Sequence, residues 1–196
     1  MRTLKVYLSR SIVLVVLAMS VSCATSSKQP IYLMPDFSAK SIENITLLPP
    51  IDARADKRIT VNLPKQLNEK TAKILRKLGY RVVLSEDWGE AGEPVEEDLR
   101  NAAPEWIKLL GPPEGRWVMV VCLVDVITKL TFGSTGNAEI LGYMFDKEAG
   151  SMIWKDKGIG QTGQGGLAGM LMKGGMDNTA ISIALSDLLA SVPQRK

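Results

Sequence analysis

Histidine is absent from all 196 residues of the chain. That removes Ser-His-Asp and Cys-His catalysis, and with them the commonest zinc ligand. No Ser-x-x-Lys occurs either, so the Ser-Lys acyl-transfer arrangement lacks its signature. Cysteine is nearly missing. Cys23 lies on a polar tail and Cys122 inside an apolar run, which is not the pattern of a disulfide scaffold. Cys122 has no neighbouring activator and reads as a small buried hydrophobe. Hydrolase chemistry has no residues to rest on, so the expectation is a protein that is not an enzyme and uses no cofactor or metal. Long apolar runs are also lacking: Ile12 to Met19 is too short to cross a bilayer.

That short run belongs to a leader. Arg2, Lys5 and Arg10 form a basic region ahead of it and small residues follow it, the layout of a secretory signal peptide over residues 1–22. Without those three cations the chain carries 21 basic and 21 acidic side chains. The precursor's pI of 8.8 therefore gives no argument for nucleic acid, and that partner class is set aside. The segment Ser20-Val21-Ser22-Cys23 resembles the lipobox of bacterial lipoproteins, with Ser20 standing where that family has an aliphatic residue. The resemblance implies a diacylated, palmitate-type Cys23 as the mature N-terminus. Ala24, where an Asp would direct otherwise, implies the outer membrane facing the periplasm. The alternative is an ordinary signal peptide with an incidental cysteine.

The remaining chain suits one domain, with 45% hydrophobic and 23% charged residues. Residues 23–40 read as a lipidated tether, whose Ser- and Pro-bearing part, Ala24 to Pro35, would hold residues 41–196 off a membrane. Asn44 to Leu48 predicts a strand closed by Pro49-Pro50. Asn62 and Pro64 predict a helix start, Leu67, Thr71, Ile74, Leu75 and Leu78 a buried face, and Gly79 its end. Tyr80 to Leu84 follows as a strand, so this is a parallel strand-helix-strand unit. Pro94 and Pro104 start two short helices. Trp117 to Val126, Ala138 to Phe145 and Ser151 to Trp154 predict an antiparallel meander, turning at Gly133 to Gly136 and at Asp146 to Gly150. Gly158 onward reads as a flexible or bulged exit from the sheet, and Asp177 to Val192 as a closing helix. The fold class is α/β (α+β), with a single mixed sheet.

Four patterns are candidates for function. Gly158-x-Gly160-x-x-Gly163 matches a dinucleotide fingerprint but has no second strand beyond it to complete the unit. Asp52, Arg54 and Asp56 follow the first strand, while Glu86, Asp87 and Trp88 follow the second. Both loops are placed at the carboxyl ends of parallel strands, where paired carboxylates could hold a cation or contact a partner. Gly165 to Met176 packs five glycines with Met170, Met172 and Met176, an adaptable apolar surface for protein or lipid. Charge is segregated as well: nine basic residues lie between Arg54 and Arg81, and seven acidic ones between Glu86 and Asp98. The expectation is pairing within one subunit, the alternative pairing head to tail between subunits.

The order of parts resembles bacterial envelope lipoproteins of uncharacterised function. It is carried by the lipobox-like Cys23, Ile45-Thr46-Leu47-Leu48-Pro49, Gly79-Tyr80-Arg81-Val82-Val83, Phe145 to Gly150, and Ile153-Trp154. More distantly it is similar to the curli-secretion lipoprotein superfamily. That group includes penicillin-binding-protein activator lipoproteins and the amino-terminal domain of the Tol system's periplasmic propeller protein. The likeness spans Ser41 to Val192 and brings no catalytic residue. It implies a mixed-sheet periplasmic domain that works through protein contacts, with an unidentified envelope protein as partner and a homo-oligomer as the alternative. In the curli pore lipoprotein long hairpins enter the membrane, whereas Thr131 to Asn137 reads as too short a connection for such an insertion.

Overall fold

A computed structural model describes residues 28–131, 133–165 and 175–195. The leader, Cys23, Met170 and Met172 lie outside the described residues. Seven strands form one mixed sheet: β1 (Tyr32–Leu33), β2 (Asn44–Leu47), β3 (Ile51–Asp52), β4 (Arg81–Leu84), β5 (Trp117–Thr131), β6 (Gly133–Asp146) and β7 (Ser151–Gly165). Their order is β1-β7-β6-β5-β2-β4, with β3 pairing β5 beyond the end of β2. The α-helices are α1 (Lys70–Lys77), α2 (Glu96–Arg100), α3 (Pro104–Ile107) and α4 (Met176–Leu189). The expected fold class is the observed one.

The strand-helix-strand unit follows its local signals. Asn62 Oδ1 accepts the Lys65 N–H at 3.2 Å, and Pro64 opens a wide π-type turn that runs into α1. Gly79 ends the helix at φ +96°, a backbone state that costs other residues strain. β4 then pairs parallel with β2, Ile45 opposite Val82, and β2 pairs parallel with β5, Ile45 opposite Trp117.

Alternation along the strands divides the core between the two faces of the sheet. Met119, Val121 and Leu123 of β5 pack with the π-type turn, α1 and α4 through Leu67, Leu75, Ile181, Leu185 and Leu188. Val118, Val120 and Cys122 face the other way, onto Trp88, Leu99, Ile107 and Leu110. An irregularity between Leu123 and Asp125 resets the alternation, so that Val126 rejoins Ala138 on the α1/α4 face. This is how the central strand accommodates its one interrupting acid.

Three expectations change. The segment Gly133 to Gly136 is not a turn: past the irregularity at Leu123 to Asp125, β5 and β6 stay paired as far as Thr131 opposite Gly133, and the predicted connection from Thr131 to Asn137 is mostly strand. Nor is Gly158 to Gly163 a loose exit, since β7 stays paired with β6 as far as Gly165. The turn at Asp146 to Gly150 is as predicted, closed by Asp146 Oδ1 accepting the Glu148 and Ala149 N–H groups. Finally, residues 28–40 of the supposed tether lie on the domain: β1 pairs antiparallel with β7, and Met34 and Phe37 pack against the core.

The glycines of β7 have a packing reason. A Cβ on Gly158 would fall on the Ala184 carbonyl oxygen, and one on Gly160 on the Ala180 carbonyl oxygen. Ala180 and Ala184, one helical turn apart, thus bring the backbone of α4 down onto glycine backbone. A pattern that reads as flexibility is a close-packed helix-sheet contact, and its first two glycines line no phosphate site.

Candidate functional site

Lys28 is the first described residue, and it is tied down. Its Nζ donates to the Lys157 carbonyl at 2.5 Å and to the Asp187 carbonyl and carboxylate at 3.1 Å each. Asp156 Oδ2 lies 3.0 Å from the same nitrogen but off the hydrogen-bond axis, so that contact is an ion pair without an aligned donor. Asp156 is only 2% exposed, and an unpaired carboxylate there would be costly. Asp187 also accepts the Ile159 N–H at 3.0 Å. The knot therefore joins the incoming chain, the edge of β7 and the last turn of α4. Nothing in the sequence announces it, because Lys28 stands more than a hundred residues from its partners.

Beside the knot is a cavity of 740 Å³ lined by Lys28, Pro30, Leu33, Leu78, Val192 and Pro193 among others. Ile31, Tyr32 and Leu33 run past it 61%, 41% and 37% exposed. Behind the lining residue Pro193, the Tyr80 hydroxyl donates to the Pro193 carbonyl at 2.5 Å, and burial pushes that phenol up to about 12.

The loops at the carboxyl ends of the strands hold themselves together. Arg54 is 5% exposed, and its guanidinium donates to both oxygens of Asp52 at 2.7 and 2.8 Å and to the Ile59 carbonyl at 2.8 Å. Those hydrogen bonds hold the Asp52 carboxyl below its ordinary value, with burial acting against them. Asp56 pairs with Arg58 in the same way on the open surface, which brings its carboxyl down to about 2. These carboxylates are committed to arginines, and among the described residues no group of three or more His, Cys, Asp or Glu side chains could hold a metal ion. Arg54 is a loop-closing residue rather than part of an open contact surface.

Trp88 is also buried, at 9%, with its carbonyl accepting the Gly111 N–H at 2.7 Å. It anchors the acidic segment to the sheet face opposite α1. Glu96 helps: it accepts the Tyr143 hydroxyl and pairs with Arg100 at 2.7 Å. Tyr143 and Cys122, both buried there, have their pKa values pushed up by burial, so neither is an ionised nucleophile at neutral pH. Met176 is buried against Gly136 at the start of α4, with its sulfur 3.8 Å from Thr162 Oγ1. Of the seven residues read as a contact surface, the structure buries Arg54, Trp88 and Met176, because each fills a packing position.

The expected internal pairing of opposite charges is not found. α1 and the acidic segment cover opposite faces of the sheet, and among the described residues no ion pair joins them.

No protein-family model matches the chain, and no curated protein matches it. Among solved structures it is similar to lipoprotein GNA1162 from Neisseria meningitidis, at 21% identity and a TM-score of 0.47, covering 66% of this chain and 92% of that one. It is similar to the PelC dodecamer from Paraburkholderia phytofirmans at 11% identity and 0.47, covering 78% and 89%. A hypothetical protein, CT253 from Chlamydia trachomatis, follows at 16% and 0.45, covering 78% and 94%. With every score below 0.5, these are partial likenesses that assign no activity.

Proposed function

We propose that this is a non-enzymatic lipoprotein of the bacterial cell envelope. A lipid on Cys23 holds it to the periplasmic side of the outer membrane, and it supports envelope assembly, transport or wall synthesis through protein-protein contacts. The observation that carries this reading is the lipobox-like Cys23, placed after a leader and five residues ahead of the point where the chain joins a folded domain. The commitment of Asp52 and Asp56 to arginines, and the burial of Cys122, are in keeping with it. Cys23→Ala should move the protein from the membrane fraction to the soluble periplasmic fraction. Membrane retention unchanged by the substitution would sink the reading.

A second reading, an oligomeric ring or secretion-type structural component, is favoured by one observation: the basic and acidic segments lie on opposite faces of the sheet, with no ion pair between them among the described residues. A head-to-tail contact would bring them together. Light scattering on the detergent-extracted protein should then give a discrete multi-subunit mass that falls as salt rises. A monomer or dimer at every ionic strength would return the accessory lipoprotein.

A further inference from the structure

We infer that the corner beside Lys28, led by Ile31, Tyr32 and Leu33, is a docking face for the bilayer surface, an inference that rests on the reading of Cys23 as lipid-modified. The length of chain outside the structure is the first argument. Four residues separate Cys23 from Lys28, and five extended Cα steps reach at most about 18 Å. Lys28 is clamped by Lys157, Asp156 and Asp187, so the slack that the tether reading assigned to residues 28–35 does not exist. A lipid at Cys23 holds this one corner against the membrane.

What the corner presents is the second argument. Ile31, Tyr32 and Leu33 follow the clamp directly and are the first three exposed large hydrophobics of the described chain. β1 spans two residues, enough to fix them along β7 but not to bury them. Tyrosine suits a headgroup boundary, with a ring for the apolar side and a hydroxyl for the wet side.

Charge is the third. Lys77 precedes Leu78, which lines the cavity beside Lys28, and Arg195 donates its N–H to the Leu78 carbonyl; both cations flank that cavity and suit anionic headgroups. The acidic segment leaves the carboxyl end of β4, on the last strand of the sheet, and packs on the other face. Seated this way, the domain keeps its densest negative charge away from lipid phosphates.

The test uses the full lipidated chain in vesicles of phosphatidylethanolamine and phosphatidylglycerol that carry a doxyl-labelled lipid quencher. Ile31→Cys and, at the distant acidic segment, Glu97→Cys are labelled with an environment-sensitive fluorophore. Cys122 is buried and Cys23 is blocked by its lipid, so the introduced thiol takes the label. Quenching several-fold stronger at position 31 than at position 97 is the expected result. Intact mass reads the lipid separately. A lipidated protein quenched equally at both positions overturns the docking face and leaves the anchor standing. A mass without lipid overturns the anchor and the short-leash argument with it. A label at position 31 that is shielded from soluble quencher yet untouched by the lipid quencher assigns the face to a protein partner instead, and overturns the bilayer as occupant.

Discussion

At Gly158 and Gly160 the missing side chain is what lets α4 rest on β7. The row facing the helix reads Trp154, Asp156, Gly158, Gly160, Thr162, with a period of two. Size falls from indole to hydrogen where the helix comes closest. Gly163 belongs to the same sequence pattern but not to that contact: a Cβ there meets Thr135 Cγ2 at an ordinary 3.4 Å. Gly160→Ala should therefore cost about 2 kcal/mol or more by overpacking, read as a drop in the chemical-denaturation midpoint. Gly163→Ala should stay within about 0.5 kcal/mol of the parent. Equal effects at the two positions would mean that the glycines serve flexibility rather than contact.

Among the elements, the edge strands show how a mixed sheet avoids pairing with strangers. β4 is four residues long with Val83 and Leu84 exposed, and Arg76 donates to its Val82 carbonyl at 3.2 Å, occupying part of its edge. On the opposite edge, β1 covers only Trp154 and Lys155 of β7, and beyond it Lys28 and Asp187 take the Lys157 carbonyl and the Ile159 N–H. The Lys28 knot thus caps an edge and seats the incoming chain at once. Lys28→Met leaves Asp156 buried without its cation, and thermal unfolding should register a loss of about 3 kcal/mol. Adding Asp156→Asn should recover much of that loss, because a neutral amide is cheaper to bury than an unpaired carboxylate. If the second substitution recovers nothing, the ion pair is not what the mutation removed.

For the molecule as a whole, one sheet separates two packed layers of different character. The α1/α4 layer carries Lys65, Lys73, Arg76 and Lys77 on its outer surface, while the layer over the other face exposes Glu86, Asp87, Glu90, Glu93, Glu97 and Asp98. Residues 23–196 carry 21 basic and 21 acidic side chains, yet the two signs are segregated between these layers. Such a distribution orients a molecule near a charged surface and makes any self-association sensitive to salt. The same polarity underlies both the membrane-docking corner and the ring alternative. The two can hold together, since one uses the corner at β1 and the other the two faces.

The strand-helix-strand unit, the buried stripe of α4 and the two short helices, one near Pro94 and one opening at Pro104, were legible in the amino-acid order. Each is a local matter of periodicity, capping and backbone restriction, visible within a dozen residues. The lipobox-like Cys23 and the lack of histidine were equally plain in the order of residues. Tertiary structure alone decided the rest. Whether Gly133 to Gly136 and Gly158 to Gly163 are turns or strand depends on a neighbouring strand and a helix that local pattern cannot see. Arg54 and Trp88 look like surface chemistry until the loops around them close and bury them. Lys28 becomes an anchor point only when folding brings it to Asp156 and Asp187, because an ion pair acts across space and leaves no trace in sequence spacing.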